Sequence, residues 1–470
     1  MKPRSKYKNT IIIILIVFLI LSGCRFIMVE KKDKTSTDVF ASQVSGSFYP
    51  GTEKGIIKDL DNFFNKADTN YSGEEIKALI VPHAGYKYSG LTAMIGYKKL
   101  YYNLLLSTKE NYKIIVIAPA HRVYFKGIST LSRSYYSMPT GNIKLERSSL
   151  DNYNNDLAFI GEHSIEVQLP FLQYIFSKAG KNFSVIPVLV GDGNISDSIK
   201  AIEKEIDENT IIIVSSDLSH FLTDSKAREI DKTSISNILS GKKEIDACGV
   251  KGIMILNEIS KEKGWKSEFL YYSNSGDVTG DKKSVVGYSS FSYSDSSIEN
   301  ILIKLARKSI YDKLSNLKTN KEEIKKIIPN EYFEKKGVFV TLTINNRLRG
   351  CIGNIIGTSS VYDGVIDNAK NAAFSDPRFN KLTKNEFEKV DIEVSILSVP
   401  ISCSLSEIKK NDGIILERGY NSALYLPQVW EQLPSKDEFL GSLCEKADLE
   451  WDCYKDSKTT FKKFNVEIIK

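Results

Sequence analysis

The chain has 470 residues, enough for two or three domains, and its 42% hydrophobic and 26% charged residues are those of an ordinary globular protein with material for a core. Its formal net charge is +6, and Lys2, Arg4, Lys6 and Lys8 place four positive charges at the extreme N-terminus. The remainder is close to neutral, so the basic balance reads as a targeting signal and argues against nucleic acid as a partner.

Residues 11–21 form an unbroken apolar run (IIIILIVFLIL). This is shorter than the roughly 20 residues of a spanning helix and suits the apolar region of a signal peptide. The run ends in Leu21-Ser22-Gly23-Cys24, which resembles the bacterial lipobox, in which the cysteine is lipidated and becomes the mature N-terminus. The expectation is a lipoprotein signal over residues 1–24 and a lipid anchor outside the cytoplasmic membrane. A single uncleaved anchor helix over residues 10–29, interrupted by Arg25, is the alternative. Residues 25–43 are polar, rich in Lys, Thr and Ser and without period, as in a flexible tether.

From Val44 onward, short apolar runs alternate with segments of helical spacing. The apolar runs are 79–81, 114–119, 185–190 and 211–214; the helical segments are 89–105, 164–179, 195–206 and 252–259. This alternation predicts an α/β fold with a parallel-type sheet buried on both faces. Residues 266–293, rich in Tyr, Ser and Val, predict antiparallel or edge strands. A polar stretch at 294–297 marks a boundary between a first domain over 44–294 and a second over 298–470. In the second, a helix is predicted over 298–317, strands over 337–344 and 391–397, a helix over 362–373 and a helix-rich tail over 426–449.

The four histidines, His83, His121, His163 and His220, all lie in the first half. His83 follows the run 79–81, His121 follows Pro119, and Asp217 and His220 follow the run 211–214. Ligands of open parallel sheets bind beyond the carboxyl ends of the strands, so parallel neighbours would bring these groups to one edge. Cys248, just before a predicted helix, adds a thiol whose pKa a helix N-terminus lowers. Two histidines and a thiolate suit iron, copper or zinc, and leave an open coordination position of the catalytic kind. His163, at a predicted helix start, is a candidate acid or base, and equally a packed structural histidine. Tyr86 and Tyr88 are candidates for a pocket wall. Apart from Cys24, the cysteines are Cys248, Cys351, Cys403, Cys444 and Cys453; an odd, unclustered set predicts no disulfide framework and at least one free thiol.

The motifs LIVPHAGYKYSG (79–90), APAHRV (118–123), EHSIEVQLP (162–170), IPVLVG (186–191), VSSDLSHF (214–221) and Ala247-Cys248-Gly249, with GSFYP at 46–50, resemble in order those of the Memo-like proteins. The resemblance implies a fold like that of class III extradiol dioxygenases. It also implies metal ligands at His83, His121 and Cys248, with Asp217, His220 and His163 lining the site. Extradiol enzymes place two His and a carboxylate on Fe(II); a Cys in the third place departs from that pattern, so ring cleavage does not follow.

Leu348-Arg349-Gly350-Cys351-Ile352-Gly353, Ala373-Phe374-Ser375-Asp376-Pro377-Arg378-Phe379, residues 391–397 and residues 426–430 resemble the AMMECR family, which implies an α+β domain. By residue type, residues 348–353 suggest a turn in which Gly350 and Gly353 allow close backbone approach or positive φ, Arg349 a bidentate anion contact and Cys351 a buried thiol. The pairing resembles components B and A of the AmmeMemoRadiSam grouping, which implies a radical-SAM partner. The expected function is a metal-dependent, dioxygenase-like oxidoreductase acting on a small molecule. It would hold one transition-metal ion, iron first and copper or zinc as the other candidates. A non-catalytic metal- or ligand-binding adaptor is the alternative. The absence of GxSxG and HExxH argues against a hydrolase.

Overall fold

The computed structural model describes residues 38–295 and 300–470. Cys24 and most of the tether lie outside the described residues. The chain forms a mixed α/β unit followed by an α+β unit, in agreement with the predicted fold class.

The large sheet of the first unit has strands β1 (Ile76–Val81), β2 (Asn111–Pro119), β3 (Ile128–Ser129), β4 (Asn182–Val190), β5 (Thr210–Ser215), β6 (His220–Leu222), β7 (Lys266–Asn274) and β8 (Val285–Ser294), with the four apolar runs in β1, β2, β4 and β5. The main path of the sheet runs β7-β8-β1-β5-β2-β4-β3, with β6 paired to β8. Strands β1, β5, β2 and β4 are mutually parallel. The β7–β8 pair is antiparallel, as expected, but β8 is interior to the sheet because it also pairs with β1.

Alternate side chains of these strands enter two separate cores, the signature of a sheet covered on both faces. Leu79, Val81, Val116 and Ile213 pack with α1 (Glu53–Lys66), α2 (Tyr86–Leu106) and α3 (Leu169–Ala179). Ile80, Ile115, Ile117, Ile212 and Val214 pack on the other face with α4 (Ser196–Glu203), α5 (Asp224–Leu239) and α6 (Val250–Lys263). Helix α5 was not predicted: its Asp-, Lys- and Ser-rich sequence buries only a narrow stripe including Ala227 and Ile238.

The second unit contains α7 (Ile301–Leu314), β9 (Gly337–Ile344), β10 (Arg347–Asn354), α8 (Val361–Phe374), β11 (Asp391–Leu397), β12 (Ile401–Cys403), β13 (Gly413–Arg418), β14 (Asn421–Tyr425), α9 (Lys436–Lys446), β15 (Thr460–Phe464) and β16 (Val466–Ile469). These strands make two four-stranded antiparallel sheets, ordered β10-β9-β11-β16 and β12-β15-β13-β14. Val338, Val340 and Leu342 of β9 and Leu302 and Leu305 of α7 belong to the same continuous core as α2 and α3, so the two units share apolar packing.

Two expectations are corrected here. Residues 348–353 are not a turn but the body of strand β10. Neither Gly350 nor Gly353 has positive φ; a Cβ on Gly350 would lie 2.1 Å from the Ala372 carbonyl oxygen, so close helix–strand approach is what requires it. Cys444 and Cys453 form a disulfide, with Cα atoms 5.8 Å apart, while Cys248, Cys351 and Cys403 are free thiols. Residue spacing alone hid the pair, because α9 and the short turn after it fold the two thiols together.

Candidate metal centre

The parallel arrangement of β1, β5 and β2 carries His83, Asp217 and His121 to the carboxyl-terminal edge of the sheet. His163 comes from the loop before α3. His83, His121 and His163 each offer a ring nitrogen, and these atoms lie within 4.8 Å of one another. The His121 and His163 rings stack at a centroid distance of 4.8 Å, and His83 stands edge-on to both. Cys248 Sγ lies 3.2 Å from His83 Nε2.

The surrounding polar groups fix how the rings are presented. His83 is buried, and its backbone N–H donates to Asp217 Oδ1 at 2.7 Å. Its Nδ1 lies 3.0 Å from Ser215 Oγ, whose own proton goes to the Ser164 carbonyl. Nδ1 therefore carries the hydrogen and Nε2 presents a lone pair. Glu162 does the same for His121: Oε1 accepts from His121 Nδ1 at 3.0 Å, and Oε2 accepts from the His121 backbone N–H at 2.6 Å. Oε1 also accepts the backbone N–H groups of His163 and Ser164. Burial opposes ionisation of Glu162, but these donors outweigh it and hold its pKa at about 2. Glu162 is thus an anionic anchor for two of the three histidines.

Burial, reinforced by mutual repulsion among the rings, lowers His83 to about 3 and His163 to about 4. Both are neutral at physiological pH, the state in which imidazole binds metals. His163 Nδ1 is buried and has no hydrogen-bond partner among the described residues, although Glu162 Oε1 lies 3.3 Å away. An orphaned ring nitrogen beside two rings with inward-facing lone pairs fits a metal ion, and the triad can bind one.

Cys248 differs from expectation in its electrostatics. It sits two residues before α6, where Gly249 lets the backbone close on β5: a Cβ there would lie 2.8 Å from the Ser215 carbonyl oxygen. The thiol is partly buried, and its desolvation together with the Asp217 carboxylate raises its pKa to about 12, against the lowering that a helix N-terminus predicts. Hydrogen bonds from the Asp217 N–H, 3.3 Å away, the Ser216 hydroxyl and the Gly249 N–H favour the thiolate but do not outweigh these effects. Asp217 is itself buried and its pKa is raised by desolvation. His220, on β6, is only partly buried; protonated, it would depress both His83 and Asp217. The next residue, Phe221, has φ +60° and is 78% exposed at this rim.

Tyr86 does not wall the site: its ring packs on Phe171 at 4.7 Å and its hydroxyl donates to the Val167 carbonyl. Tyr88 is partly exposed. Sequence reasoning assigned no role to Glu162, Ser215 or Gln168. Gln168 donates to Ser215 Oγ and to the Pro82 carbonyl, beneath His83. Phe48 stacks on His163 at 4.4 Å. Its segment is pinned by Glu166, which accepts from the Val44 N–H at 3.0 Å and the Tyr136 hydroxyl at 2.9 Å. For Gln168 and Glu166 the available signal was their place among the apolar residues Ile165, Val167 and Leu169; no such signal marks Glu162 or Ser215.

In the second unit Arg349 does hold an anion in a bidentate manner, but an internal one. Its Nε and Nη2 bond the two oxygens of Glu386 at 2.9 and 3.2 Å. Cys351 is half-buried, with its backbone N–H donating to Asp376.

Residues 41–292 match the family model described as Memo-like protein, and residues 303–469 match that described as AMMECR1. A MEMO1 family protein of Nitrosopumilus maritimus is 31% identical over 53% of this chain and 98% of its own length. The MEMO1 family protein Ta0237 of Thermoplasma acidophilum is 35% identical over 53% of this chain and 96% of its own. Among solved structures, the uncharacterized protein PH0010 of Pyrococcus horikoshii is 36% identical, covering 36% of this chain and 88% of its own, at a TM-score of 0.33. With the family model spanning more than half of its length and with these relatives, the chain belongs to the Memo-like family.

Proposed function

We propose that this protein is a metal-dependent, dioxygenase-like oxidoreductase. The observation that carries the reading is the convergence of His83, His121 and His163 within 4.8 Å, with Cys248 Sγ 3.2 Å from His83. His83 and His121 would hold the ion through Nε2, and Cys248 or His163 would complete the donor set. Iron bound there would supply redox and Lewis-acid chemistry; copper or zinc suits the same donors. Asp217 orients the His83 backbone, and burial of His83 limits water around that ring, while His121 is exposed. His220, partly exposed at the rim, exchanges protons with solvent.

Metal analysis of anaerobically purified protein and of His83→Ala tests this. Near-stoichiometric iron lost in the variant supports the reading; equal, substoichiometric metal in both sinks it. A bound ion that never changes oxidation state with O2 or reductant instead favours the adaptor reading.

The same reading places the protein outside the cytoplasmic membrane, anchored through Cys24, as part of the AmmeMemoRadiSam grouping with a radical-SAM partner. The Cys444–Cys453 disulfide supports an oxidising compartment. Labelled fatty acid should be incorporated into the parent protein and not into Cys24→Ser; no incorporation into the parent protein would exclude the lipid anchor.

A further inference from the structure

The chain enters the first unit through a small sheet apart from the large one. Val39–Ala41 pairs in parallel with Tyr135–Met138, which pairs antiparallel with Gly141–Lys144. Phe40, Tyr136 and Ile143 stand in one cross-strand row and pack into the core, where Phe40 also meets the edge of the Phe159 ring. Val39, Tyr135 and Lys144 make the neighbouring row, which faces the other way and leaves Tyr135 and Lys144 exposed.

Beside this sheet a tight turn divides its apolar residues between inside and outside. Ala158 and Phe159 are buried, whereas Leu157 and Ile160 are 67% and 55% exposed. Asp156–Phe159 is a 3-10 helix, and the Ile160 N–H donates to the Leu157 carbonyl at 3.3 Å, so the two exposed side chains stand side by side. The turn is tied to the point of entry. Ser132 donates its N–H and its hydroxyl to the two oxygens of Asp156, each at 2.8 Å, and the Ser134 N–H donates to the Asp38 carbonyl at 3.0 Å. Arg133 Nε also lies 2.8 Å from the Asp156 carboxylate and neutralises the charge next to Leu157. Paired aliphatic side chains turned to water, flanked by exposed Tyr135, Tyr153 and Lys144, have the composition of a surface that meets a lipid interface.

The length of chain before Asp38 says what covers this face. Asp38 follows Cys24 by fourteen residues. A chain of that length spans about 20 Å as a coil and at most about 50 Å when extended. Anchored through Cys24, or through an uncleaved helix over residues 10–29, the turn stays within reach of the bilayer.

We propose that Leu157 and Ile160 dock on the bilayer surface and fix how the tethered protein is turned toward it. The inference rests on the proposed membrane tether. His163 is three residues past Ile160, so their Cα atoms are no more than about 11 Å apart, and docking holds the candidate metal centre beside the membrane.

The test uses the full chain, purified from membranes and reconstituted into vesicles of equimolar phosphatidylcholine and phosphatidylglycerol with ordinary or brominated acyl chains. Leu157→Trp puts a reporter on the turn. Tyr271→Trp puts one on β7, an exposed position at the opposite edge of the large sheet from β3, to whose end the turn is joined by Ser129 and Asn155. Brominated chains should quench the emission added by Leu157→Trp about twofold and leave that added by Tyr271→Trp unchanged. Ile160→Glu in the Leu157→Trp chain should abolish the quenching. The proposal is overturned if vesicle-bound Leu157→Trp is not quenched, if both reporters are quenched equally, if Ile160→Glu changes nothing, or if the chain does not associate with vesicles. A blue shift of the Leu157→Trp emission that grows with protein concentration and needs no vesicles gives the face to a second copy and also overturns it. Quenching without fatty-acid labelling at Cys24 removes the lipid anchor and upholds the docking face; labelling without quenching does the reverse.

Discussion

The Nδ1 of His83 and the hydroxyl of Ser215 lie 3.0 Å apart, and Ser215 has already given its proton to the Ser164 carbonyl 2.6 Å away. The hydroxyl can only accept from the ring, and it does so while also accepting from Gln168 Nε2 at 2.8 Å. A chain of hydrogen bonds that begins at the Tyr97 hydroxyl on Gln168 Oε1 therefore sets the tautomer of the deepest histidine in the site.

Ser215→Ala removes that acceptor and lets either ring nitrogen carry the proton. Metal affinity should fall about 10- to 100-fold, the usual cost of losing such a support, with little change in fold. Competition with a chromophoric chelator measures it. Affinity equal to that of the parent protein would mean that His83 is oriented by packing alone.

Glu162 supports His121 by charge as well as direction. Glu162→Gln keeps the shape, but neutralises the group that accepts from His121 Nδ1 and three backbone N–H groups. It should weaken metal binding by about the same factor as Ser215→Ala. It should also destabilise the metal-free protein by roughly 3 kcal/mol near pH 7, the worth of lowering a carboxyl from 4.5 to about 2. Denaturant unfolding followed by circular dichroism reads the second effect.

The metal-free protein should be acid-sensitive in two stages. His83 and His163 titrate at about 3 and about 4 when folded, below the 6.5 of an unfolded histidine. The unfolded chain takes up those protons first, so stability falls as pH drops below about 6.5. Glu162 is depressed, so its contribution is present above about 4.5 and is lost as pH falls through about 2. Melting temperatures from pH 8 to pH 3 should decline throughout the acid range. His83→Asn should flatten the upper part and Glu162→Gln the lower part; a parent curve that is level from pH 7 to pH 5 would contradict the depressed histidines.

Gly350 lies against backbone, not against a side chain that can turn away. Gly350→Ala would put a methyl 2.1 Å from the Ala372 carbonyl oxygen and force β10 and α8 apart. A loss of about 3 kcal/mol or more is expected, at the upper end for overpacking. Chemical unfolding of the chain measures it, and a change below about 1 kcal/mol would show that the strand and helix can separate freely.

Much of the first unit was legible because its apolar runs and the helices between them have distinct periods. The strands at 76–81, 111–119, 182–190 and 210–215 follow from those runs, and the histidines sit just beyond them because a strand end is where the chain turns toward solvent. Helix α5 was missed because its buried stripe is too narrow to stand out from its polar residues. Strand β10 was read as a turn because glycine signals both tight turns and close packing, and only the position of α8 distinguishes them.

By itself, the sequence determined the two kinds of unit, the strand runs and the residue types available for metal chemistry. These depend on local periodicity and composition, which neighbouring residues carry between them. Only the tertiary structure decided that His163 comes within ligand distance of His83 and His121, that Glu162 and Ser215 set the tautomers of His121 and His83, that desolvation raises the Cys248 thiol, and that Cys444 meets Cys453. Those relationships depend on the order in which strands pair and helices pack, which sets distances between residues far apart in the chain and the water left around them.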